Sequence, residues 1–194
     1  MKVYTTLNPE TISNIYLITD DKNESGIIID PGSFALNVYM LIKASKVEIK
    51  KIIITQDIIE KTAGIPLIKK IYDAEIFALH DKILDFNTTK VKNNFIIKEK
   101  NLEFKIIETP VNTFDAISIL IENNLFVGNI FQAGYLNAFE EKEHPSEYEF
   151  EIIRKKILSL PDHIIIYPGK GPVTTMEIEK KFNPYFKKIL NKKI

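Results

Sequence analysis

The sequence predicts an α/β (α+β) protein, a four-layer αββα sandwich in which two β-sheets face each other and helices cover their outer sides. Three observations carry this. Apolar runs of strand length fall in two groups, one ending near Leu79 and one starting near Phe104, with helix-like stretches interspersed. The apolar run that closes at Thr55 has no polar alternation, as expected of a central strand covered on both faces. Asp30-Pro31-Gly32, Gly64, Gly128, Gly169 and Gly171 are residues suited to tight turns after such strands.

In chain order, strands are expected at Val3 to Thr6, Asn14 to Thr19 and Gly26 to Asp30, the last two joined by the polar turn Asp20 to Ser25. Ser33 is placed to cap a helix running to about Ala44, with Phe34, Val38, Leu41 and Ile42 on one side. The central strand then empties into Thr55-Gln56-Asp57-Ile58-Ile59-Glu60-Lys61-Thr62-Ala63-Gly64. A second helix is expected from about Thr62 to Tyr72, with Pro66 tolerated near its first turn, followed by a strand at Glu75 to Leu79. Asp81 to Asn101 reads as a loop with a short helical piece near Ile83. Strands follow at Phe104 to Glu108, Ile117 to Ile121 and Leu125 to Val127, the last two joined at Asn123-Asn124. Gln132 to His144 is irregular and acidic. Ser146 and Glu149 form a capping box ahead of a helix carrying Ile152, Ile153, Ile157 and Leu160. Ile164 to Tyr167 is a short buried strand, and Thr174 with Glu177 is a second capping box opening the last helix.

Composition removes several function classes. A chain of 194 residues is expected to form one domain spanning 1–194. Lys plus Arg and Asp plus Glu both number 26, so no net charge recruits nucleic acid or an anionic membrane. Arg154 is the only arginine, which leaves almost no bidentate guanidinium chemistry for phosphates or bases. With no cysteine there are no disulfides, no thiolate metal ligands and no cysteine nucleophile. No stretch approaches the roughly 18 apolar residues of a membrane span, and the expected location is the cytoplasm.

The stretch Thr55 to Gly64 resembles the first motif of the metallo-β-lactamase fold superfamily, Thr-His-x-His-x-Asp-His followed by a small residue and Gly, with Thr55, Ala63 and Gly64 in frame. The other landmarks follow in order. Asn14 to Ile18 and Gly26 to Gly32 resemble the opening hairpin and its Asp-Pro-Gly turn. Thr109-Pro110-Val111-Asn112-Thr113 resembles Thr-Pro-Gly-His-Thr, and Leu125 to Asn129 resembles the strand ending in Gly-Asp. Tyr167-Pro168-Gly169-Lys170-Gly171-Pro172 resembles Tyr-Pro-Gly-His-Gly-Pro, and Thr174-Thr175, Glu179 and Asn183-Pro184 resemble the closing helix of the small glyoxalase II-like (hydroxyacylglutathione hydrolase-like) members.

The resemblance implies a dinuclear zinc or iron centre, since the family's chemistry uses two divalent cations to polarise a substrate and to turn water into hydroxide. Carried onto this chain, the ligand positions hold Gln56, Ile58, Glu60, Lys61, Asn112, Asn129 and Lys170. Only Glu60 keeps a ligand chemistry; amide, alkyl and ammonium groups do not hold these ions. The expectation is therefore no metal and no cofactor, with Lys61 and Lys170 converging on one cavity near Glu60, Asp57 a second counter-charge, and the two amines available to bind an anion. The partner expected is a small anionic ligand or another protein.

Other catalytic groups offer less. His80, His144 and His163 are far apart, fall in none of the family's ligand positions, and read as surface or strand-end residues. Asp57, Glu60 and Asp115 read as loop carboxylates, Ser118 sits inside a strand with no histidine near it in sequence, and Gly169-Lys170-Gly171-Pro172 lacks phosphate-loop spacing. Three functions remain open: a non-catalytic protein that binds a ligand or partner, a thioester or ester hydrolase related to glyoxalase II acting through a relocated or non-metal site, and a purely structural subunit.

Overall fold

The computed structural model describes residues 1–20, 22, 25–137 and 146–191. His144, the end of the acidic stretch after Asn137 and part of the Asp20 to Ser25 turn lie outside the described residues. Two six-stranded sheets form the centre. The first comprises β1 (Lys2–Leu7), β2 (Asn14–Thr19), β3 (Ser25–Ile29), β4 (Glu48–Ile53), β5 (Glu75–Ala78) and β8 (Thr89–Lys90), adjacent in that order. The second runs β16 (Thr174–Thr175), β15 (Ile165–Pro168), β12 (Asn124–Gly128), β11 (Ile117–Ile121), β10 (Leu102–Glu108) and β9 (Ile96–Glu99). Two ribbons complete the strands, β6 (Lys82–Ile83) with β7 (Phe86–Asn87) and β13 (Phe131–Gln132) with β14 (Tyr135–Leu136).

Strand alternation builds the layers. On β2, Ile15 and Leu17 pack outward with Val38 and Ile42 of α1 (Leu36–Ser45) and with Ile65 and Ile68 of α3 (Ile65–Ile71). Tyr16 and Ile18 point the other way, into the space between the sheets, where they join Ile27, Ile29, Ile53, Phe104, Ile119 and Phe126. On β12, Leu125 and Val127 face the second helical layer, which holds Ile153 and Ile157 behind α4 (Glu147–Ile152), Met176 of α5 (Met176–Phe182) and Phe186 and Ile189 of α6 (Pro184–Asn191). Both faces of the central strands are therefore apolar, which is why their sequences read as continuous runs. The αββα order matches the expectation.

Several local details differ from expectation. Ser33 does not cap α1: the N-cap is Ala35, and the Ser33 hydroxyl donates instead to the Asn8 side-chain oxygen at 3.1 Å. The expected helix Thr62 to Tyr72 is two short ones, α2 (Ile59–Thr62) and α3, separated at Gly64. Gly64 is there for space, since a Cβ would meet the Gly32 carbonyl oxygen, the Phe34 nitrogen and the Phe34 Cβ, all at 2.7 Å. Ile83 lies in the β6–β7 ribbon rather than a helical piece, and the polar stretch that follows supplies the edge strand β8. Thr175, not Thr174, caps α5 by accepting the Ile178 N–H at 3.3 Å, while Thr174 donates to the buried Glu179 at 2.9 Å. The last helix breaks at Asn183-Pro184, whose Asn side chain accepts the Tyr185 and Phe186 N–H groups. The Ser146–Glu149 capping box forms as expected, and α4 continues into a π-helical turn, Ile153–Ile157. No helix among the described residues is long and apolar enough to cross a membrane.

Candidate functional site

Five chain reversals meet at one end of the sandwich: those after β3, β4, β10, β12 and β15. Backbone bonds hold them together. The Ile117 N–H donates to the Thr55 carbonyl at 2.9 Å, joining the sheets, and the Asn14 N–H donates to Gly169 at 2.7 Å. The Asn14 side chain donates to the carbonyls of Pro168 at 2.9 Å and Gly171 at 2.8 Å, and the Tyr16 hydroxyl donates to Pro168 at 2.5 Å. Burial pushes the Tyr16 phenol well above its ordinary value, so it serves as a neutral donor.

The deepest charged side chain at this end is Lys61, 2% exposed. It lies in the single turn of α2, one residue before its end at Thr62, and its side chain is buried. Its Nζ donates to the Thr55 hydroxyl at 2.5 Å and lies 3.2 Å from Asp30 Oδ2. Thr55 passes the interaction on, its hydroxyl donating to Asp30 Oδ2 at 2.6 Å and its N–H to Oδ1 at 2.8 Å. Asp30 occupies a left-handed conformation, φ 50°, which aims its carboxylate back under the end of β4. Gly128, φ 56°, leaves room for this cluster, since a Cβ there would sit 2.7 Å from Thr55 Oγ1 and 3.2 Å from Lys61 Nζ.

Glu60 and Lys170 form a separate pair nearer the surface, Nζ to Oε2 at 3.0 Å, with side chains 17% and 39% exposed. Glu60 also receives a long bond from Asn129 Nδ2 at 3.4 Å. Asn112 and Asn137 both direct their side-chain nitrogens to the Asn129 carbonyl, at 3.4 and 3.0 Å. The Asn112 N–H is received by Glu149 of α4 at 3.2 Å. Gln56 is buried and donates to the Thr113 hydroxyl at 2.8 Å, and Ile58 is half-buried at the start of α2.

The two lysine amines therefore do not share one acid, as the sequence suggested. Lys170 has Glu60, and Lys61 has Asp30, a residue read from sequence only as part of a turn. Asp57 is not the second counter-charge; it is exposed, and its N–H donates to Asp115 Oδ2 at 2.6 Å. Asp115 also lies 3.7 Å from His80 Nε2, and His163 is exposed elsewhere. Among the described residues no group of three or more His, Cys, Asp or Glu side chains could hold a metal ion. Amides at Gln56, Asn112 and Asn129, an alkyl at Ile58 and ammonium groups at Lys61 and Lys170 do not fit a pair of divalent ions, because imidazole and carboxylate donors are what such ions take.

No family model matches the chain. Several curated proteins align over nearly its whole length. A probable metallo-hydrolase of Streptococcus pyogenes is 25% identical, over 96% of this chain and 90% of its own. The hydroxyacylglutathione hydrolase GloC of Haemophilus influenzae is 25% identical, over 89% of this chain and 92% of its own. Among solved structures, the B3 metallo-β-lactamase BLEG-1 superposes with a TM-score of 0.81 at 18% identity, covering 95% of this chain and 99% of that one. With the two facing sheets, their helical layers and the ordered turn landmarks, these likenesses show the metallo-β-lactamase fold, in a chain whose sequence is similar to those of hydroxyacylglutathione hydrolases.

Proposed function

We propose that this protein has lost the dinuclear metal centre of its hydrolase relatives and works in the cytoplasm as a non-catalytic binding or partner-interaction protein. The observation that carries the reading is Lys61, a buried ammonium fixed between Asp30 and Thr55 at a position where the family places a metal ligand. An ammonium has no lone pair to give a metal ion, and the Asp30 carboxylate beside it is already committed to Lys61 and Thr55, so neither side chain is free to hold a divalent ion. The amide and alkyl groups at the neighbouring positions support the same reading, since they supply neither negative charge nor imidazole.

The test is elemental analysis of protein purified without chelator, together with hydrolysis of acyl-glutathione thioesters, the substrate class implied by the relatives' name. The expected result is no stoichiometric zinc, iron or manganese and no turnover above a metal-free control. About two equivalents of metal bound at these loops would overturn the proposal. Robust turnover abolished by Glu60→Gln would instead establish a relocated hydrolytic site.

A further inference from the structure

Of the strands that edge the two six-stranded sheets, β1 is the longest, six residues against four in β9 and two each in β8 and β16. Lys2 starts it, and from Val3 to Leu7 it holds neither a charge nor a proline. Its register against β2 runs unbroken from Lys2 to Leu7, so no bulge turns it away. Charges, prolines and bulges are the devices that keep an open edge from pairing, and this stretch has none of them.

The direction of its main-chain groups follows from its neighbour. Opposite residues in an antiparallel pair alternate between hydrogen-bonded and non-bonded pairs. The Asn14 N–H goes to Gly169, so Leu7–Asn14 is a non-bonded pair, and Thr5–Tyr16 and Val3–Ile18, at the same alternation, are non-bonded too. The N–H and C=O groups of Val3 and Thr5 therefore point away from the sheet, and none of them has a backbone partner among the described residues. The Leu7 carbonyl points the same way but accepts the Asn37 side chain at 2.6 Å. That bond sets α1 along the edge: Asn37 also donates to the Thr6 hydroxyl at 2.7 Å, and Tyr4 packs against the cluster that holds Val38 and Ile42. Leu36 and Met40, four residues apart and so on one face of α1, are 74% and 58% exposed.

We propose that this edge joins two copies of the chain in a twofold dimer, β1 pairing antiparallel with β1 of the second copy so that the two sheets run on as one. The unpaired groups fix the register. With Val3 opposite Thr5 of the second copy, and the reverse, every outward group of both residues is satisfied, in four hydrogen bonds, and the axis passes between the two Tyr4 residues. A shift of two residues would set Val3 opposite Leu7, whose carbonyl Asn37 already holds, or Thr5 opposite Met1, before the start of the strand. Such an axis stands perpendicular to the sheet, so both α1 helices lie side by side on the same face and their exposed Leu36 and Met40 cover one another. An extended peptide of another protein would add a strand and leave that apolar row in water, whereas a second copy supplies strand and helix in one operation. β1 and α1 offer six and ten residues per copy, fewer than the roughly 20–30 of a standard interface, so the association is weak and concentration-dependent. It holds whether or not the protein binds metal.

Sedimentation velocity of the full chain from micromolar to millimolar concentration should show a monomer–dimer equilibrium. Thr5→Pro removes only an outward N–H, which an edge strand tolerates, and should weaken dimerisation about tenfold or more while the urea midpoint of the dilute monomer holds. Met40→Glu brings like charges together across the axis and should weaken it several-fold, from an exposed position that leaves the monomer's midpoint unchanged. Because the chain has no cysteine, Tyr4→Cys under mild oxidation should give a disulfide-linked dimer, since a non-bonded pair sets its Cα atoms close enough for one. Thr6→Cys, which the register sets opposite Lys2 of the second copy, should not. A chain still monomeric at millimolar concentration would leave the edge to a strand of another protein and overturn the assignment. So would a dimer that both Thr5→Pro and Met40→Glu leave intact, or cross-linking stronger through Thr6→Cys than through Tyr4→Cys.

Discussion

Replacing Lys61 by methionine keeps most of the stem's volume and removes only the ammonium, so the variant isolates the buried charge. Lys61 and Asp30 have side chains 2% and 7% exposed, with Nζ 3.2 Å from Oδ2. Deleting one member of a buried pair leaves the other charged and uncompensated, which costs about 3–5 kcal/mol. Asp30 would still accept two bonds from Thr55, at 2.8 and 2.6 Å, and such donors stabilise a carboxylate. The expected loss is therefore at the low end, about 3 kcal/mol, or roughly 6–12 °C in Tm for a chain of this length. Adding Asp30→Asn removes the stranded charge, and asparagine tolerates the left-handed backbone at that position. The double variant should then lose less than the sum of the two single losses, a coupling characteristic of residues in contact. Urea unfolding of the four proteins in the cycle measures this. A Lys61→Met loss under about 1 kcal/mol, or strictly additive losses, would refute the idea that this pair holds the turn after β3 against the end of β4.

Lys170→Met should change stability by less than about 1 kcal/mol, because its pair with Glu60 is partly solvated; a loss as large as that of Lys61→Met would show the two lysines to be equivalent. Lys51 of β4 and Glu99 of β9 tie the two sheets together at 2.5 Å. Desolvation opposes ionisation of Glu99, but the bond and charge of Lys51, together with Ser25 and the charge of Lys100, outweigh it and hold the carboxyl below its ordinary range. The folded protein thus binds fewer protons than the unfolded chain as pH falls through that range, so the contribution is full above it and is lost as pH drops through the folded-state value. Lys51→Met should accordingly destabilise at pH 7, and a series of urea midpoints should show the gap to wild type closing in acid; a pH-independent gap would rule the linkage out. Gly64→Ala should cost about 1–3 kcal/mol by thermal unfolding, since two of the three atoms its Cβ would strike belong to the backbone; an unchanged midpoint would show that the Gly32–Phe34 turn can shift.

The layers were legible in the sequence because apolar runs and turn residues report burial and backbone geometry directly. Ile52 and Ile53 read as a doubly covered strand and are one, and Ser146-Glu149 reads as a capping box and forms one. The edge pieces were less legible. Thr89–Lys90 pairs with β5 through only two residues, too few for a periodic signal, and Ser33 matches a cap by type while Asn8, far away in sequence, takes its hydroxyl. At the site, the turn landmarks pick out Gln56, Ile58, Glu60, Lys61, Asn112, Asn129 and Lys170 as positions, and they carry no information on which of these side chains pair. Lys61 meets Asp30 because of a left-handed φ at residue 30, and such a conformation at a non-glycine residue has weak sequence signature. Asn137, whose amide meets that of Asn112 at the Asn129 carbonyl, belongs to no motif and had no signal at all.

The joins at the site end of the sandwich have a consequence for how such a protein can change. Ile117 to Thr55, Asn14 to Gly169 and Gly169 to Gly128 are bonds between main-chain atoms, so they are indifferent to which side chains the ligand positions carry. None of these three bonds uses a side-chain atom of residue 61 or residue 170. What an exchange at these positions changes is the side-chain pairing, such as Lys61 with Asp30, while the main-chain joins stay available to every residue type but proline. That separation of frame from chemistry lets a single architecture serve hydrolases and a protein with this set of amides and amines alike.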